Sequence, residues 1–248
     1  MDVPVTHVRG ALVLDGHGAP SAMFDVVVLG DRLVLLAPDG EVAATLVDVL
    51  GGRTFLLDAT FELRERESLA VRGEDAAEVV AAAGLSVVPG RCRLAGDLLL
   101  VSRPDGIDVL GPAPARAQAA AALRAAGAVD GDVADLEDLR IARGEPAWGR
   151  EVAAPHLPEE VGLLPSHVHL AKGCYPGQEA VARMWMLGQP RRRLARVAVT
   201  GAVAPGWRTG SGRHQVEVTS VTSDARRALA FVPRDAAAGA VFEDEDGT

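Results

Sequence analysis

The stretch Lys172-Gly173-Cys174-Tyr175-Pro176-Gly177-Gln178-Glu179 holds one of the two cysteines in a chain of 248 residues. A lysine lies two residues ahead of the thiol, glycines stand on both sides, and a helical pattern follows. In that pattern, GQEAVARMWMLG, Ala180, Met184 and Leu187 are spaced for one helix face and Gly188 is placed to end it. Cys174 therefore falls just ahead of a helix N-terminus, where unpaired N–H groups and the positive dipole end favour an anion. Lys172 adds charge of the same sign, and both effects favour the thiolate, the form of cysteine that reacts and binds metal. Cysteine is also among the most buried residue types and often serves as a small apolar side chain. The residues alone leave Cys174 open between these two roles. Cys92, inside the strand-like run CRLAGDLLL, reads as a core residue.

Other chemistry-bearing groups are sparser. His167-x-His169 points two imidazoles to one face if extended, and Cys174 follows closely. Two histidines and one thiol fall short of the four ligands of a closed zinc site, so no metal site is assigned. Gly16-His17-Gly18 reads as a turn, because no GxGxxG or P-loop pattern continues it. The run Arg191 to Arg193 suits either an anionic tail or a solvated basic turn.

These groups must be positioned by interleaved strands and helices. ALVL, AMFDVVVL and RLVLLA read as strands joined by a DGHG turn and a Gly30-Asp31 turn. EVAATLVDVL has helical spacing and stops at Gly51-Gly52; TFLLDATF and ESLAVR read as strands. EDAAEVVAAAG carries acids in its first turn and ends at Gly84 as a capped helix. CRLAGDLLLVSRPDGIDVLG divides into two or three short strands. The Ala-rich residues 112–128 read as a helix at the solvent edge, and VADLEDLRIARG as a helix ending at Gly144. From about residue 191, short β-type runs alternate with turns as in a small β-barrel. The expected fold is α+β, with a main region over 1–190 and a β-barrel domain over 191–248. FEDEDGT reads as a solvated acidic tail.

Composition sets outer bounds. Apolar residues at 48% and charged residues at 24% are those of a globular chain. A formal net charge of −9 argues against bulk binding to nucleic acid or anionic membrane. No uncharged apolar run approaches the ~20 residues that span a bilayer. Two widely separated cysteines suit a reducing compartment, and the N-terminal residues lack a signal-peptide pattern, so a cytoplasmic location is expected.

KGCYPGQE resembles the KGCYxGQE signature of the YgfZ-type folate-binding proteins, relatives of the glycine-cleavage T-protein (aminomethyltransferase). LRIARGEPAWGRE at 139–151 is similar to the family's RI-x-x-G-x-P-x-x-G-x-E stretch, and LPEEVGL at 157–163 to its next segment. Arg183, the RRRL run at 191–194, Thr219-Ser220 and Ala228 to Ala230 fall in family order. The resemblance implies a T-protein-like fold whose central cavity holds tetrahydrofolate or a polyglutamated folate. It also implies a role in assembling or repairing iron–sulfur clusters, with client enzymes or cluster carriers as partners.

Carried across, the resemblance makes Cys174 the residue on which function depends, with Lys172 beside it. Tyr175, Gln178, Glu179 and Arg183 would shape the site, and Glu151 would accept N–H bonds from the pterin edge, with Trp148 and Trp185 as candidates to stack on it. An aromatic spaced as Trp185 is on its helix is also suited to a core. The family's first strand and helix, with an aspartate used in aminomethyl transfer, have no counterpart ahead of RGALVLDGHG. That departure makes an accessory factor the leading expectation. A tetrahydrofolate-dependent one-carbon transferase and an interaction scaffold without ligand are the alternatives.

Overall fold

A computed structural model of the chain describes residues 6–30, 32–54, 57–188 and 190–243. The chain divides into two compact units, Met1–Gly10 with Phe24–Gly131, and Ala11–Met23 with Asp132–Thr248.

The first unit is built on a sheet. Its strands are β1 (Thr6–Leu14), β2 (Pro20–Leu29), β3 (Arg32–Leu36), β4 (Ser68–Arg72), β5 (Arg91–Ala95), β6 (Leu98–Arg103) and β7 (Gly106–Leu110). They lie in the order β3-β2-β1-β5-β6-β7-β4, and β1 and β2 run on into the second unit. The registered pairs β2–β3, β1–β5, β5–β6, β6–β7 and β4–β7 are antiparallel. Helices α1 (Gly40–Gly51), α2 (Ala76–Ala82) and α3 (Ala113–Ala125) accompany them. Asp39 caps α1 by accepting from Val42 N at 2.8 Å.

Leu98, Leu100, Ile107 and Val109 of the sheet pack against Val80 of α2 and against Ala119 and Leu123 of α3. The Ala-rich helix α3 buries Ala119 and Leu123 on the sheet and leaves residues such as Ala113 and Ala121 exposed, as a helix at the solvent edge does. Cys92 is buried with Val27 and Val101, as its strand-like setting implies. Asp108 accepts from Arg72 and Arg103, each at 2.5 Å, and Asp25 from Arg103 at 2.7 Å. Burial works against the charge on Arg103, but Asp108 and Asp25 outweigh it and hold the guanidinium protonated.

TFLLDATF forms no strand over residues 57–61, the part of it after Thr54 that is described. Leu57 N bonds Thr54 O and Ala59 N bonds Leu57 O, so local turns take the donors a ladder would need. Leu57 is left 66% exposed and Phe61 41% exposed. Asp31 of the expected Gly-Asp turn and residues 244–248 of the acidic tail lie outside the described residues.

The second unit holds α4 (Val133–Arg143), α5 (Leu164–His167), α6 (Gln178–Leu187) and the strands β8 (Arg192–Ala198), β9 (Arg208–Thr209), β10 (Val216–Val221) and β11 (Arg227–Pro233). Asp132 and Asp135 form a capping box at the start of α4, and Gly144 ends it in the left-handed conformation. The expected barrel region is an antiparallel four-stranded sheet in the order β8-β11-β10-β9. Its inner face buries Val216, Val218, Ala228, Ala230 and Val232. A second cluster joins Val152, Val161 and Leu163 to Phe231.

Candidate functional site

The thiol-bearing turn is held by backbone contact. Gly177 is the N-cap of α6 with φ of 77°. A Cβ placed on it would lie 2.5 Å from Asp15 O and 2.7 Å from Gly18 Cα. Only glycine allows so close an approach at that backbone angle. Opposite it, the turn at 15–18 is fixed by the Asp15 carboxylate, which accepts from His17 N at 2.8 Å and Ala19 N at 2.9 Å. Tyr175 anchors the other side, packing with Leu12, Leu14, Leu164, Val168 and Val181. Burial raises the pKa of its phenol. Lys172 Nζ stands 4.5 Å above the Tyr175 ring, a cation–π contact worth about 0.5–1 kcal/mol at an exposed site.

Cys174 is exposed, and among the described residues no hydrogen bond or ion pair engages its thiol. The arrangement presents a sulfur atom to solvent just ahead of Tyr175 and Gly177, both of which are held in place. Gln178 is half-buried and its N–H donates to Tyr175 O at 3.2 Å. Glu179 accepts from Arg183 at 2.9 Å on the outer face of α6. Val181 is the buried residue of that helix, with Ala180 and Met184 half-buried; the Leu187 side chain lies outside what is described. Trp185, spaced for a core, is 61% exposed.

A second constellation gathers the motifs at 139–151 and 219–220. Glu151 has no exposed surface. Its Oε1 accepts from Thr219 and Ser220, each at 2.6 Å, and its Oε2 from Ala147 N at 2.9 Å and Arg140 at 3.1 Å. Arg140 also binds Glu137 at 2.7 and 2.9 Å, Ser220 at 2.8 Å and the Glu145 carbonyl at 2.5 Å. The Arg140 guanidinium, hydrogen-bonded to Glu137, holds that carboxyl below the usual carboxylate range. All four acceptor positions of Glu151 are filled by the chain itself. A ligand N–H could bond it only by displacing one of these donors. Trp148 lies among the residues around Val152, Val161 and Phe231. Sequence spacing gave no sign that Arg140 and the 219–220 hydroxyls meet at Glu151, since 68 residues separate Glu151 from Thr219.

A cleft of about 570 Å³ opens between the turn after α4, the 159–162 turn and the ends of β8 and β11. Glu145, Glu159, Glu160, Arg193, Leu194 and Arg234 line it. Burial works against the charge on Glu160, but bonding to His156 and Leu157 N keeps its carboxyl below the usual range. His156 in turn stacks on Phe231 with ring centroids 3.9 Å apart. The expected basic run does not end in a free turn: Arg192 lies over Phe231 and within 3.7 Å of Glu217, and Arg193 donates to Ala236 O.

Among the described residues no three His, Cys, Asp or Glu side chains are grouped to hold a metal, so His167, His169 and Cys174 do not form such a set. His167 bonds its neighbour Ser166 at 2.7 Å, and His169 is exposed. No helix among the described residues is long and apolar enough to cross a membrane.

The arrangement of antiparallel sheets and helices is that of the aminomethyltransferase T-like α+β fold. The chain matches the crystal structure of the glycine cleavage system aminomethyltransferase T from Bartonella henselae with a TM-score of 0.78. That match has 21% identity and covers 93% of this chain and 69% of that one. In sequence, the chain is 36% identical over 101 residues to an Arabidopsis thaliana protein named "Putative transferase, chloroplastic". The matched stretch is 40% of this chain and spans 23% of that relative's length. No family model matches.

Proposed function

We propose that this chain is a folate-binding accessory protein that acts through the Cys174 thiol in assembling or repairing iron–sulfur clusters of client enzymes. The observation that carries this reading is the presentation of Cys174, exposed and unpartnered on a turn pinned by the Gly177–Gly18 contact. The resemblance of KGCYPGQE to the YgfZ-type signature supports the cluster role. The aminomethyltransferase-like fold supports tetrahydrofolate, or its polyglutamated form, as the ligand. In this reading residues 1–190 hold the ligand and 191–248 form the accessory β region.

Lys172, Tyr175, Gln178, Glu179 and Arg183 flank the thiol or lie on the helix behind it, and are assigned to the site. Glu151 and Trp148 fit a wall-forming role better than direct pterin contact, because the carboxylate is saturated and the indole is packed. A reducing compartment such as the cytoplasm suits a chain whose two cysteines are both free.

Anaerobic calorimetric titration with tetrahydrofolate tests the ligand; micromolar binding is expected, and its absence removes folate from the proposal. Cys174→Ala tests the thiol: cluster-dependent enzyme activity in cells should fall while the melting temperature stays unchanged. Full activity in that strain removes the thiol role. A tetrahydrofolate-dependent transferase is the second reading, favoured by the name of the Arabidopsis relative. Turnover of a one-carbon donor by the folate-loaded chain would establish it over the first.

A further inference from the structure

The cleft of about 570 Å³ between the 144–146 turn, the 159–162 turn and the ends of β8 and β11 is lined by charges of both signs. Arg234 is half-buried at the end of β11, and among the described residues its guanidinium has no hydrogen bond or ion pair. Arg193 beside it is half-buried and uses one N–H on Ala236 O at 3.3 Å. Across the cleft, the carboxylates of Glu145 and Glu159 likewise have no partner among the described residues. Neither arginine is salt-bridged to any of the cleft's glutamates, so the opposite charges face the cleft without meeting. The turn that carries Glu145 is braced, since Arg140 binds its carbonyl and its N–H donates to Arg140 O at 3.1 Å. Leu194 and Val161 supply apolar wall between the charges.

We infer that this cleft binds a small zwitterion of the amino-acid class. Its carboxylate would sit on Arg234 and Arg193, where a guanidinium offers a forked pair of donors. Its ammonium would sit on Glu145 and Glu159, and its side chain on Leu194 and Val161. A polyanion such as a phosphate chain is disfavoured by the three glutamates, and a simple cation by the two arginines. A volume of this size lies within the range of small-molecule sites. No residue of the 169–188 segment lines the cleft, so the site is independent of the Cys174 turn.

Saturation-transfer NMR on the full chain with L-leucine and L-phenylalanine is the test. Binding of at least one is expected, with 4-methylpentanoate and 3-methylbutylamine, which each keep one charge of leucine, weaker by roughly tenfold or more. Arg234→Gln and Glu159→Gln should each weaken the amino acid by a similar factor, and Cys174→Ala should leave it unchanged. The proposal is overturned if neither amino acid binds below about 10 mM, if the single-charge analogues bind as well, or if both cleft variants, confirmed folded by circular dichroism, bind as the parent does.

Discussion

Replacing Gly177 by alanine tests the contact on which the thiol-bearing turn depends. The new Cβ would stand 2.5 Å from Asp15 O and 2.7 and 2.8 Å from Gly18 Cα and N, all backbone atoms that cannot rotate away. Ordinary contact begins near 3.4 Å, so one turn must retreat by roughly 0.9 Å. Holding a non-glycine residue at φ of 77° adds about 1–2 kcal/mol, and the overpacking about 1–3 kcal/mol. A loss near 3 kcal/mol lowers the melting temperature of a chain of this size by about 6–12 °C. Gly173→Ala, on the other side of the thiol, is the control, because its Cβ would meet nothing within 4 Å and should change stability by less than about 0.5 kcal/mol. Circular-dichroism melts compare the two, and the rate of Cys174 reaction with a thiol reagent reports the turn itself. Equal melting temperatures for the two variants would refute the argument.

Three further outcomes are expected. A chromogenic disulfide reagent should release one equivalent from the native chain, from exposed Cys174, and the second from Cys92 only in denaturant. Glu151→Ala strands Arg140 and two hydroxyls beside a buried void and should lower stability by about 3–5 kcal/mol in a denaturant titration, against about 1 kcal/mol for Thr219→Val. Glu137 has a pKa lowered by its bond to Arg140, so below its unfolded value the unfolded chain binds the extra proton. Its contribution is therefore present at neutral pH and lost as pH falls through the lowered value. Glu137→Gln should flatten the dependence of stability on pH as the pH falls below the ordinary carboxylate range; an unchanged slope would remove that assignment.

Much of the element order was legible because its signals are local. The Gly144 stop and the short strands of CRLAGDLLLVSRPDGIDVLG depend on residues a few positions apart, and each formed where its spacing places it. TFLLDATF had strand composition, yet its residues 57–61 form no strand, because composition does not supply a neighbouring strand and local turns took their donors. Trp185 followed helical spacing onto solvent, because periodicity says which residues share a face and not how far the core beneath it extends.

The candidate site divides in the same way. The sequence alone was enough to mark Cys174, its flanking glycines and the helix start after it, since these are chain neighbours. That Gly177 must be glycine because it touches the turn at 15–18, and that Glu151 is saturated by Arg140, Ala147, Thr219 and Ser220, were decided only by tertiary structure. A buried carboxylate and a solvated one have the same letter in the sequence, and what separates them is which distant donors the fold brings within hydrogen-bonding reach.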